Sequence, residues 1–353
     1  MAAVRTDTLY VDLDGTLTLT DVLVEAFLEL IKKNLLYVLI LPFWLLRGKA
    51  YMKHQIMQRV SLRVDLLPYN QELLAWLRQQ KQQGSKLVLI SASTQSVVDQ
   101  IARHLALFDA AIGSSISSNC SGHRKLARIR EYSGESSFVY AGNAEVDLQV
   151  WQQAQGAILV NTSAALKKRA AASTAVVAVF DNKYNAISGM ISRSIKAMRP
   201  HQWLKNTLLF LPLMLAHQID NTQLVWQAVI AFVSFSLCSS SVYVLNDLLD
   251  LSADRQHRTK CRRPFAAGHL SPLTGLLLSA VLLAFAFGSA AALPVEFMLI
   301  LAAYYLCTGM YSFVLKKIEL VDVITLATLY TLRIIAGAAA VSIVPSFWLL
   351  AFS

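Results

Sequence analysis

Two acidic stretches of the chain carry residue types that suit metal-assisted phosphate chemistry. The first is TLYVDLDGTLTLTD (8–21), in which Asp12 and Asp14 stand two residues apart at the end of an apolar run. Carboxylates in such a pair can act as a nucleophile, as a general acid or base, or as ligands of a divalent cation. Because Gly15 and Thr16 follow, we expect the chain to turn directly after the pair.

The second stretch is YVLNDLLDLSADRQHRTKCRRP (243–264), which follows about twenty almost wholly apolar residues. Asp247, Asp250 and Asp254 are three and four residues apart, so on a helix they would share one face. Acids at the end of a membrane span are unfavourable unless a cation joins them, and a set of oxygen ligands favours Mg2+. The cations that follow could grip the same polyphosphate. They are Arg258, Lys260, Arg262 and Arg263.

The two stretches lie in parts of the chain that differ in composition. Of the 353 residues, 55% are hydrophobic, and the net charge is +10. Residues 1–190 hold 15 acidic and 20 basic residues, whereas residues 191–353 hold only 7 and 12. This contrast predicts a soluble N-terminal half joined to a membrane half. The basic excess is typical of the cytoplasmic flanks of membrane spans, and without a basic stripe interleaved with aromatic residues we expect no nucleic-acid binding.

The elements around the first acidic pair are predicted to form an α/β domain. The apolar segment before Asp12 is typical of a short buried strand, and further strands are expected at 86–90, 136–142 and 156–161. Helical stretches fall between these segments, as a doubly wound parallel sheet requires. In such open sheets ligands bind beyond the carboxyl ends of the strands, which is where the acid pair stands.

Four motifs in this half resemble the haloacid dehalogenase superfamily and occur in the order that the family shows. They are DLDGT (12–16), Ser91 in LVLISAS, Lys125 in GHRKLARI, and AGNAEVDL (141–148). The resemblance implies a Rossmann-like α/β phosphatase domain over residues 1–182. It also implies a helical cap over about residues 20–80.

The same resemblance assigns roles to single residues. Asp12 would be the nucleophile that forms an aspartyl-phosphate, Asp14 the general acid and base, and Ser91 and Lys125 the phosphate-binding groups. The implied Mg2+ ligands are Asp12, Asp14, Asn143 and Asp147. The family usually has an acid at the position of Asn143, and an amide can ligate a metal but supplies no charge. A working phosphatase and a retained, inactive domain therefore both remain open.

An apolar run, NLLYVLILPFWLLRGK (34–49), lies inside the predicted cap. It is too short to cross a bilayer, which needs about 20 residues. Two interpretations are open: a cap helix packed on the domain, or a segment that dips into the membrane surface. Trp44 and the flanking cations suit an interfacial segment. These cations are Lys32, Lys33, Arg47 and Lys49.

The second half is predicted to be an all-α bundle of transmembrane helices. Residues 183–206 would form a linker and a basic amphipathic lead-in, and a last span would begin at PSFWLLAFS (345–353). Arg333 falls inside an apolar span, where a charged side chain is costly, so it should face a polar cavity. The five spans that precede the last are expected near 207–219, 224–245, 273–292, 294–314 and 320–341.

The second acidic stretch resembles the UbiA-type prenyltransferases. N-D-x-x-D-x-x-x-D matches the first aspartate-rich motif of that family, and TKCRRPFAAG (259–268) matches its following loop. The resemblance implies a prenyltransferase membrane domain at 207–353. The Mg2+ ligands that it implies are Asn246, Asp247, Asp250 and Asp254. The phosphate contacts that we expect are Lys205, Lys260 and Arg263.

Within this family, MRPHQWLKN (198–206) and LRIIAGA (332–338) look most like the decaprenyl-phosphate phosphoribosyltransferase branch. That branch transfers phosphoribose from phosphoribosyl pyrophosphate to a polyprenyl phosphate, which are therefore the expected partners. The product would carry a phosphate on ribose C5, which a tethered phosphatase could remove. Two alternatives remain open: an aromatic-substrate polyprenyltransferase that uses a prenyl diphosphate, and a membrane-anchored phosphatase with an inactive membrane part.

These features together predict a multi-pass enzyme of the inner or plasma membrane with a cytoplasmic soluble domain. The UbiA-type fold usually has nine transmembrane helices. Five and a part are expected here, so the membrane domain is predicted to be truncated at its C-terminus. The four cysteines have no paired spacing and are expected to be reduced packing residues.

Overall fold

The computed structural model describes residues 8–116, 118–181, 187–313 and 319–344. Part of the predicted linker (183–186) and the predicted last span (345–353) lie outside the described residues. Contacts divide the chain into two compact units. The first unit extends to Met190 and takes in Ser252–Arg262 and Ala266–Pro272. The second comprises Ile191–Leu251, Arg263–Phe265 and Leu273–Ser353.

The first unit is built on a six-stranded parallel sheet with the order β3-β2-β1-β4-β5-β6. The strands are β1 Thr8–Val11, β2 Lys86–Thr94, β3 Ala110–Ser114, β4 Phe138–Gly142, β5 Gly156–Val160 and β6 Ala175–Phe180. The strand order reverses at β1, which pairs with β2 on one side and β4 on the other. Asp12, directly after β1, therefore stands where the ligand crevice of an open parallel sheet is expected. The predicted α/β domain is confirmed.

Alternate side chains of the strands pack on opposite faces of the sheet. Leu9 and Val11 belong to the apolar cluster on one face, whereas Tyr10 and Tyr140 belong to the cluster on the other. β1 and β4 are buried on both faces, which explains why their sequences are almost continuously apolar. The helices between the strands are α4 Gln71–Gln82, α5 Gln95–Leu105, α6 His123–Ser133, α7 Leu148–Trp151 and α8 Ala164–Ser173.

A helical cap is inserted between β1 and α4. Its helices are α1 Val22–Lys33, α2 Tyr37–Leu46 and α3 Lys49–Arg59. α1 begins after Asp21, whose carboxylate accepts hydrogen bonds from the backbone N–H groups of Leu23 and Val24. The three helices share a small apolar cluster. Its buried members are Ala26, Leu30, Trp44 and Ile56.

The segment Ser252–Arg262, which belongs to the first unit, is hydrogen-bonded to α1 of the cap. The Arg255 guanidinium donates hydrogen bonds to both carboxylate oxygens of Glu25, at 2.6 and 2.8 Å. Ser252 donates to the Glu29 carboxylate at 2.7 Å. The side chains of Arg255 and Glu25 are only 7% and 6% exposed. This is therefore a buried, bidentate ion pair rather than a surface one.

The second unit is helical, and four of its described helices are long and apolar enough to cross a membrane. They are α11 Thr222–Leu249, α13 Pro272–Ala290, α14 Val295–Phe313 and α15 Glu319–Ala340. They follow α9 Ile187–Met198, a 3-10 helix at Pro200–Phe210, and the short α10 Leu211–Leu215. The span predicted at 207–219 was wrong, because this stretch is divided between the 3-10 helix and α10 and then ends at the polar residues His217 and Gln218.

Small and hydroxylated residues let the helices of the second unit approach closely. Ser241 of α11 donates a hydrogen bond to the backbone carbonyl of Ser279 in α13, at 2.9 Å. A Cβ atom added at Gly337 of α15 would lie 2.1 Å from the carbonyl oxygen of Leu209, so only glycine fits there. The four cysteines are free, as predicted.

The predicted single helical face for Asp247, Asp250 and Asp254 was also wrong. α11 ends at Leu249, and Asp250 is its C-terminal cap. Asp254 lies on a separate short helix, α12 Leu251–Gln256. Aspartate is a poor residue for helix interiors because its side chain competes for backbone hydrogen bonds, so a run of three acids is a natural place for the long helix to end.

Candidate active sites

The first candidate site lies at the carboxyl ends of β1 and β4. The backbone N–H of Asp12 donates to the carbonyl of Ala141 at 3.0 Å, which places the Asp12 carboxylate beside the end of β4. Lys125, near the start of α6, lies with its Nζ 2.9 Å from Asp12 Oδ1 and 3.6 Å from Asp147 Oδ1. All three side chains are buried. Residues far apart in sequence are thus brought together as predicted.

Tyr140, which the sequence did not single out, links Lys125 to Asp147. Lys125 Nζ donates to the Tyr140 hydroxyl at 2.8 Å, and that hydroxyl donates to Asp147 Oδ1 at 2.7 Å. The other oxygen of Asp147 accepts from the backbone N–H groups of Asn143 and Ala144, both at 3.0 Å. Asp147 therefore holds the loop after β4 and the Tyr140 hydroxyl in place. Its metal-binding role stays a prediction.

Asp14 accepts hydrogen bonds from three donors that lie in two segments, the start of α1 and the end of β2. Its Oδ1 accepts from the backbone N–H of Val22 at 2.8 Å. Its Oδ2 accepts from the hydroxyls of Ser93 at 3.1 Å and Ser91 at 3.4 Å. Ser91 was predicted from its motif, whereas Ser93 was missed although it stands two residues further along the same strand. This alternation points both hydroxyls to one side of β2.

The turn after the acid pair is packed against Asn143. Gly15 has a positive φ of +74°, and a Cβ atom there would lie 2.0 Å from Asn143 Nδ2. Glycine is therefore required both by the backbone conformation and by the close approach. The contact places the Asn143 amide beside the DLDGT loop, where it was expected. The oxygen donors of Asp12, Asp14 and Asn143 fit the chemistry of a Mg2+ site.

Lys53 of α3 is a second residue that the sequence did not single out. Its Nζ donates to the carbonyl of Ala92 at 2.8 Å and to the side-chain carbonyl of Asn119 at 3.1 Å. The ammonium group is thereby directed from the cap to the end of β2. Nothing in the sequence signals this role, because Lys53 is one of several cations in the cap.

Burial shifts the protonation of this site. Desolvation raises the pKa of Asp12 to about 6, although the Lys125 ammonium opposes the shift. Desolvation, with the nearby Asp21 carboxylate, raises the pKa of Asp14 to about 7. Burial alone would lower the pKa of Lys125, but the Asp12 and Asp147 carboxylates outweigh it and the net shift is upward. The site thus pairs a permanent cation with a carboxyl group that can carry a proton near neutral pH.

The second candidate site is a cavity of about 280 Å³ within the helical unit. Lys205 and Asn246, both predicted to contact ligands, line it, and so does Arg333. Arg199 lines it too, and the sequence did not single out that residue. The remaining walls include the aromatic side chains Tyr243, Tyr304, Tyr311 and Tyr330. Cations set among aromatic and apolar groups suit a ligand that has an anionic head and an apolar body.

Arg333 is held at this cavity by neutral groups. Its Nε donates to the Asn206 side-chain carbonyl at 3.0 Å, and one terminal nitrogen donates to the Tyr304 hydroxyl at 3.2 Å. Its guanidinium carbon also lies 5.2 Å from the centre of the Tyr330 ring. The side chain is 4% exposed. Arg333 therefore lines the cavity, and its side-chain hydrogen-bond partners are uncharged.

Asp247 is shared by two arginines of its own unit. One terminal nitrogen of Arg263 lies 3.0 Å from Asp247 Oδ1, and Arg199 donates to the same oxygen. Asp250 caps α11, and Asp254 is buried on α12. Lys260 lies on a 3-10 turn and is exposed. Within the described ranges no three His, Cys, Asp or Glu side chains are grouped closely enough to hold a metal ion.

Two known families match the chain in separate regions. Residues 9–152 match the haloacid dehalogenase-like hydrolases, and residues 207–353 match the UbiA prenyltransferase family. The chain therefore contains a haloacid dehalogenase-like region followed by a region of the UbiA prenyltransferase family. Both resemblances predicted from the motifs are confirmed. The four candidate spans and the UbiA match make this fusion an integral membrane protein.

Three relatives illustrate what this hydrolase–prenyltransferase fusion is similar to. The uncharacterized protein y4nM of Sinorhizobium fredii is 36% identical over 344 residues, which are 97% of this chain and 66% of that protein. The nodulation protein NoeC of Azorhizobium caulinodans is 39% identical over 160 residues, 45% of this chain and 51% of NoeC. The decaprenyl-phosphate phosphoribosyltransferase of Mycobacterium tuberculosis is 33% identical over 167 residues, 46% of this chain and 55% of that enzyme. The chain thus spans from half to two thirds of the length of these relatives.

Proposed function

We propose that the UbiA region transfers phosphoribose from phosphoribosyl pyrophosphate to a polyprenyl phosphate, and that the hydrolase region then removes the phosphate from ribose C5. The observation that carries the proposal is the cavity in which Arg199, Lys205 and Arg333 stand among aromatic side chains. The similarity to decaprenyl-phosphate phosphoribosyltransferase over 167 residues supports the choice of substrates. The partners are then a sugar diphosphate and a lipid phosphate, both anionic.

In the transfer step, a phosphate oxygen of the lipid forms a bond to ribose C1 as the bond from C1 to pyrophosphate breaks. Negative charge develops on the leaving pyrophosphate, so cations must stand beside it. Arg199, Lys205 and Arg263 would bind the pyrophosphate, and Arg333 would hold the lipid phosphate. Asn246, Asp247 and Asp250, at the end of α11, are the residues that would hold Mg2+, which would supply further positive charge beside the leaving group.

In the hydrolysis step, the Asp12 carboxylate attacks phosphorus while the ester bond to ribose O5 breaks. Asp14, whose pKa of about 7 leaves it partly protonated at neutral pH, gives its proton to the departing oxygen. Asp14 then takes a proton from the water that hydrolyses the aspartyl-phosphate, and inorganic phosphate leaves. Lys125 and Ser91 would bind the phosphoryl oxygens. Asp12 and Asn143, with Asp147 behind them, are the residues that would hold Mg2+ in this step, and the ion would offset the charge of the phosphoryl group.

We also propose that the hydrolase region lies on the cytoplasmic side of the inner or plasma membrane. The loop between α11 and α13 carries Arg258, Lys260, Arg262 and Arg263, and short basic loops are retained on the cytoplasmic side. Ser252–Arg262 of this loop belongs to the same compact unit as the hydrolase sheet. Labelling of introduced cysteines with an impermeant reagent in sealed vesicles would test this orientation.

The test of the function is transfer from labelled phosphoribosyl pyrophosphate to polyprenyl phosphate in membranes that contain the whole chain and Mg2+. The wild type should yield phosphate-free ribosyl lipid. Asp12→Asn should accumulate the lipid that still carries the C5 phosphate, and Asp247→Ala should yield neither lipid. Asp65→Asn, at an exposed acid paired with Arg63, is the matched control.

Three outcomes would contradict the proposal. Transfer that persists in Asp247→Ala would remove Asp247 from the mechanism. Consumption of a prenyl diphosphate and an aromatic acceptor, without any consumption of phosphoribosyl pyrophosphate, would identify the aromatic branch instead. If the lipid made by the wild type keeps its C5 phosphate, this lipid is not a substrate of the hydrolase region.

A further inference from the structure

The cap helix α2 exposes an unusually large apolar face. Leu36 at its N-terminal end, together with Leu39, Phe43 and Leu46, is 62–85% exposed. These positions are separated by three, four and three residues, so they form one stripe along the helix. Scattered apolar side chains are normal on protein surfaces, but a contiguous stripe of four large ones marks a surface that binds something.

The opposite face of α2 is fixed to the rest of the cap. Trp44 is buried against α1 and α3 in the cluster that includes Leu30 and Ile56, and Tyr37 and Leu41 pack at its edge. The Arg59 guanidinium of α3 lies 4.9 Å from the centre of the Trp44 ring. The helix is therefore held in one orientation, and the exposed stripe is a defined surface of the folded cap.

The charge around α2 identifies the kind of partner. From Leu30 to Val64 the chain contains seven Lys and Arg residues and no Asp or Glu. Exposed cations stand at both ends of the helix. They are Lys32 and Lys33 before it, and Arg47 and Lys49 after it. An apolar stripe flanked by cations is complementary to the acyl chains and anionic headgroups of a lipid surface.

We propose that α2 lies in the headgroup region of an anionic bilayer with its stripe, Leu36, Leu39, Phe43 and Leu46, inserted among the acyl chains. A ten-residue helix is about 15 Å long, half of the hydrocarbon thickness, so it lies along the surface and does not cross it. The four candidate spans keep the chain at a membrane in any case. A second copy is disfavoured as the occupant, because the same cations would then face one another.

The test uses the whole chain, with its four cysteines replaced by alanine, in lipid vesicles. An environment-sensitive fluorophore is attached at Phe43→Cys, at Leu39→Cys, or at the control Glu131→Cys on the exposed face of α6. Vesicles contain phosphatidylcholine alone or with phosphatidylserine, and matched vesicles carry brominated acyl chains. Labels at positions 39 and 43 should show blue-shifted emission and lose intensity in brominated lipid, more so with phosphatidylserine, whereas the label at 131 should change little.

Two results would overturn the proposal. Equal quenching of positions 43 and 131 by aqueous iodide, with no effect of brominated lipid, would mean that the stripe stays in water. A blue shift without any quenching by brominated chains would mean that protein covers the stripe. A further variant combines Lys32→Gln, Lys33→Gln, Arg47→Gln and Lys49→Gln. It should lose the response to phosphatidylserine, and a response that persists would exclude these cations as the headgroup contacts.

Discussion

The ammonium group of Lys125 lies 2.9 Å from the Asp12 carboxylate, in a part of the protein that is almost closed to water. This cation is positioned by a residue that never needs to touch a substrate, because the Tyr140 hydroxyl accepts a hydrogen bond from Lys125 and donates one to Asp147. The position of the cation beside Asp12, the proposed nucleophile, thus depends on a buried phenol.

Tyr140→Phe should impair hydrolysis without removing any predicted catalytic group. The substitution leaves a buried donor on Lys125 and a buried acceptor on Asp147 without their shared partner, which costs about 1–3 kcal/mol. We expect kcat for hydrolysis of a phosphate ester to fall roughly tenfold or more. Steady-state kinetics of the whole chain in detergent would measure this. Tyr132→Phe, on the exposed end of α6, is the control, and equal rates for all three proteins would argue against the positioning role.

The Asp14 carboxyl should make the hydrolase region less stable at high pH when metal is removed. Its pKa of about 7 lies above the ordinary value of 3.8, so the folded state holds this proton more tightly than the unfolded state. The resulting stabilisation is complete below about pH 4 and is lost as the pH rises through about 7. Asp14→Asn should therefore raise the free energy of unfolding of the sheet at pH 8 and should not raise it at pH 4.

Hydrogen exchange at β1 and β2, in the whole chain with a chelator, reports the free energy of opening of this sheet. The difference between Asp14→Asn and the wild type should grow from pH 4 to pH 8. A difference that is constant across this range would show that the carboxyl group does not titrate as described.

Asn143→Asp should strengthen Mg2+ binding at the hydrolase site. An added carboxylate beside the DLDGT loop supplies the charge that the amide lacks, and ligand charge tunes the affinity of such sites by roughly tenfold or more. The measurement is the Mg2+ concentration for half-maximal phosphatase activity. Asn70→Asp is a matched control, because Asn70 caps α4 and aspartate caps equally well. If Asn143→Asp leaves the Mg2+ requirement unchanged, position 143 is not a ligand.

Breaking the Glu25–Arg255 pair should loosen the segment Ser252–Arg262. Removing one partner of a buried ion pair leaves an uncompensated charge and costs about 3–5 kcal/mol, whereas replacing both by apolar residues of similar size is often neutral. Hydrogen exchange in this segment should accelerate strongly in Glu25→Gln. It should return towards the wild-type rate in the double variant Glu25→Leu, Arg255→Met. If Glu25→Gln exchanges like the wild type, the pair does not hold the segment.

Arg333→Lys should weaken lipid phosphate binding although it keeps the charge. Lysine cannot reproduce the planar fork of donors that bonds Asn206, Tyr304 and the Leu329 carbonyl at the same time. We expect the KM for polyprenyl phosphate to rise roughly tenfold, equivalent to about 1.4 kcal/mol. Lys196→Arg, at an exposed position of α9, is the control for replacing one basic residue type by the other. An unchanged KM would place the lipid phosphate elsewhere.

The sequence predicted the parts of these sites that depend on local pattern. The position of Asp12 after β1, and the hydroxyl of Ser91 on β2, follow from the rule that strand ends meet at one edge of a parallel sheet. Tyr140 and Lys53 could not be found in this way. Tyr140 reads as an ordinary residue of a buried strand, and Lys53 reaches Ala92 only because the cap packs as it does.

The helical unit was predicted less well for a different reason. Apolar composition predicts that a stretch is buried or lies in lipid, but it does not say where a helix ends. The 207–219 stretch is apolar, and yet it is not one continuous helix, because a 3-10 helix ends and α10 begins within it. Asp247, Asp250 and Asp254 have helical spacing, and yet α11 ends at Leu249. In both places the local residue types decided the outcome: polar residues follow α10, and aspartate side chains at the end of α11 compete for backbone hydrogen bonds. The periodicity of apolar side chains does not report either effect.

Asp247 is held by Arg199 and Arg263 at the same carboxylate oxygen. These three side chains together carry one net positive charge, so the carboxylate does not cancel their attraction for an anion. The shared oxygen also fixes the two guanidinium groups relative to each other. Loss of the Asp247 carboxylate would therefore release both arginines at once, and its effect would reach beyond the single charge that is removed.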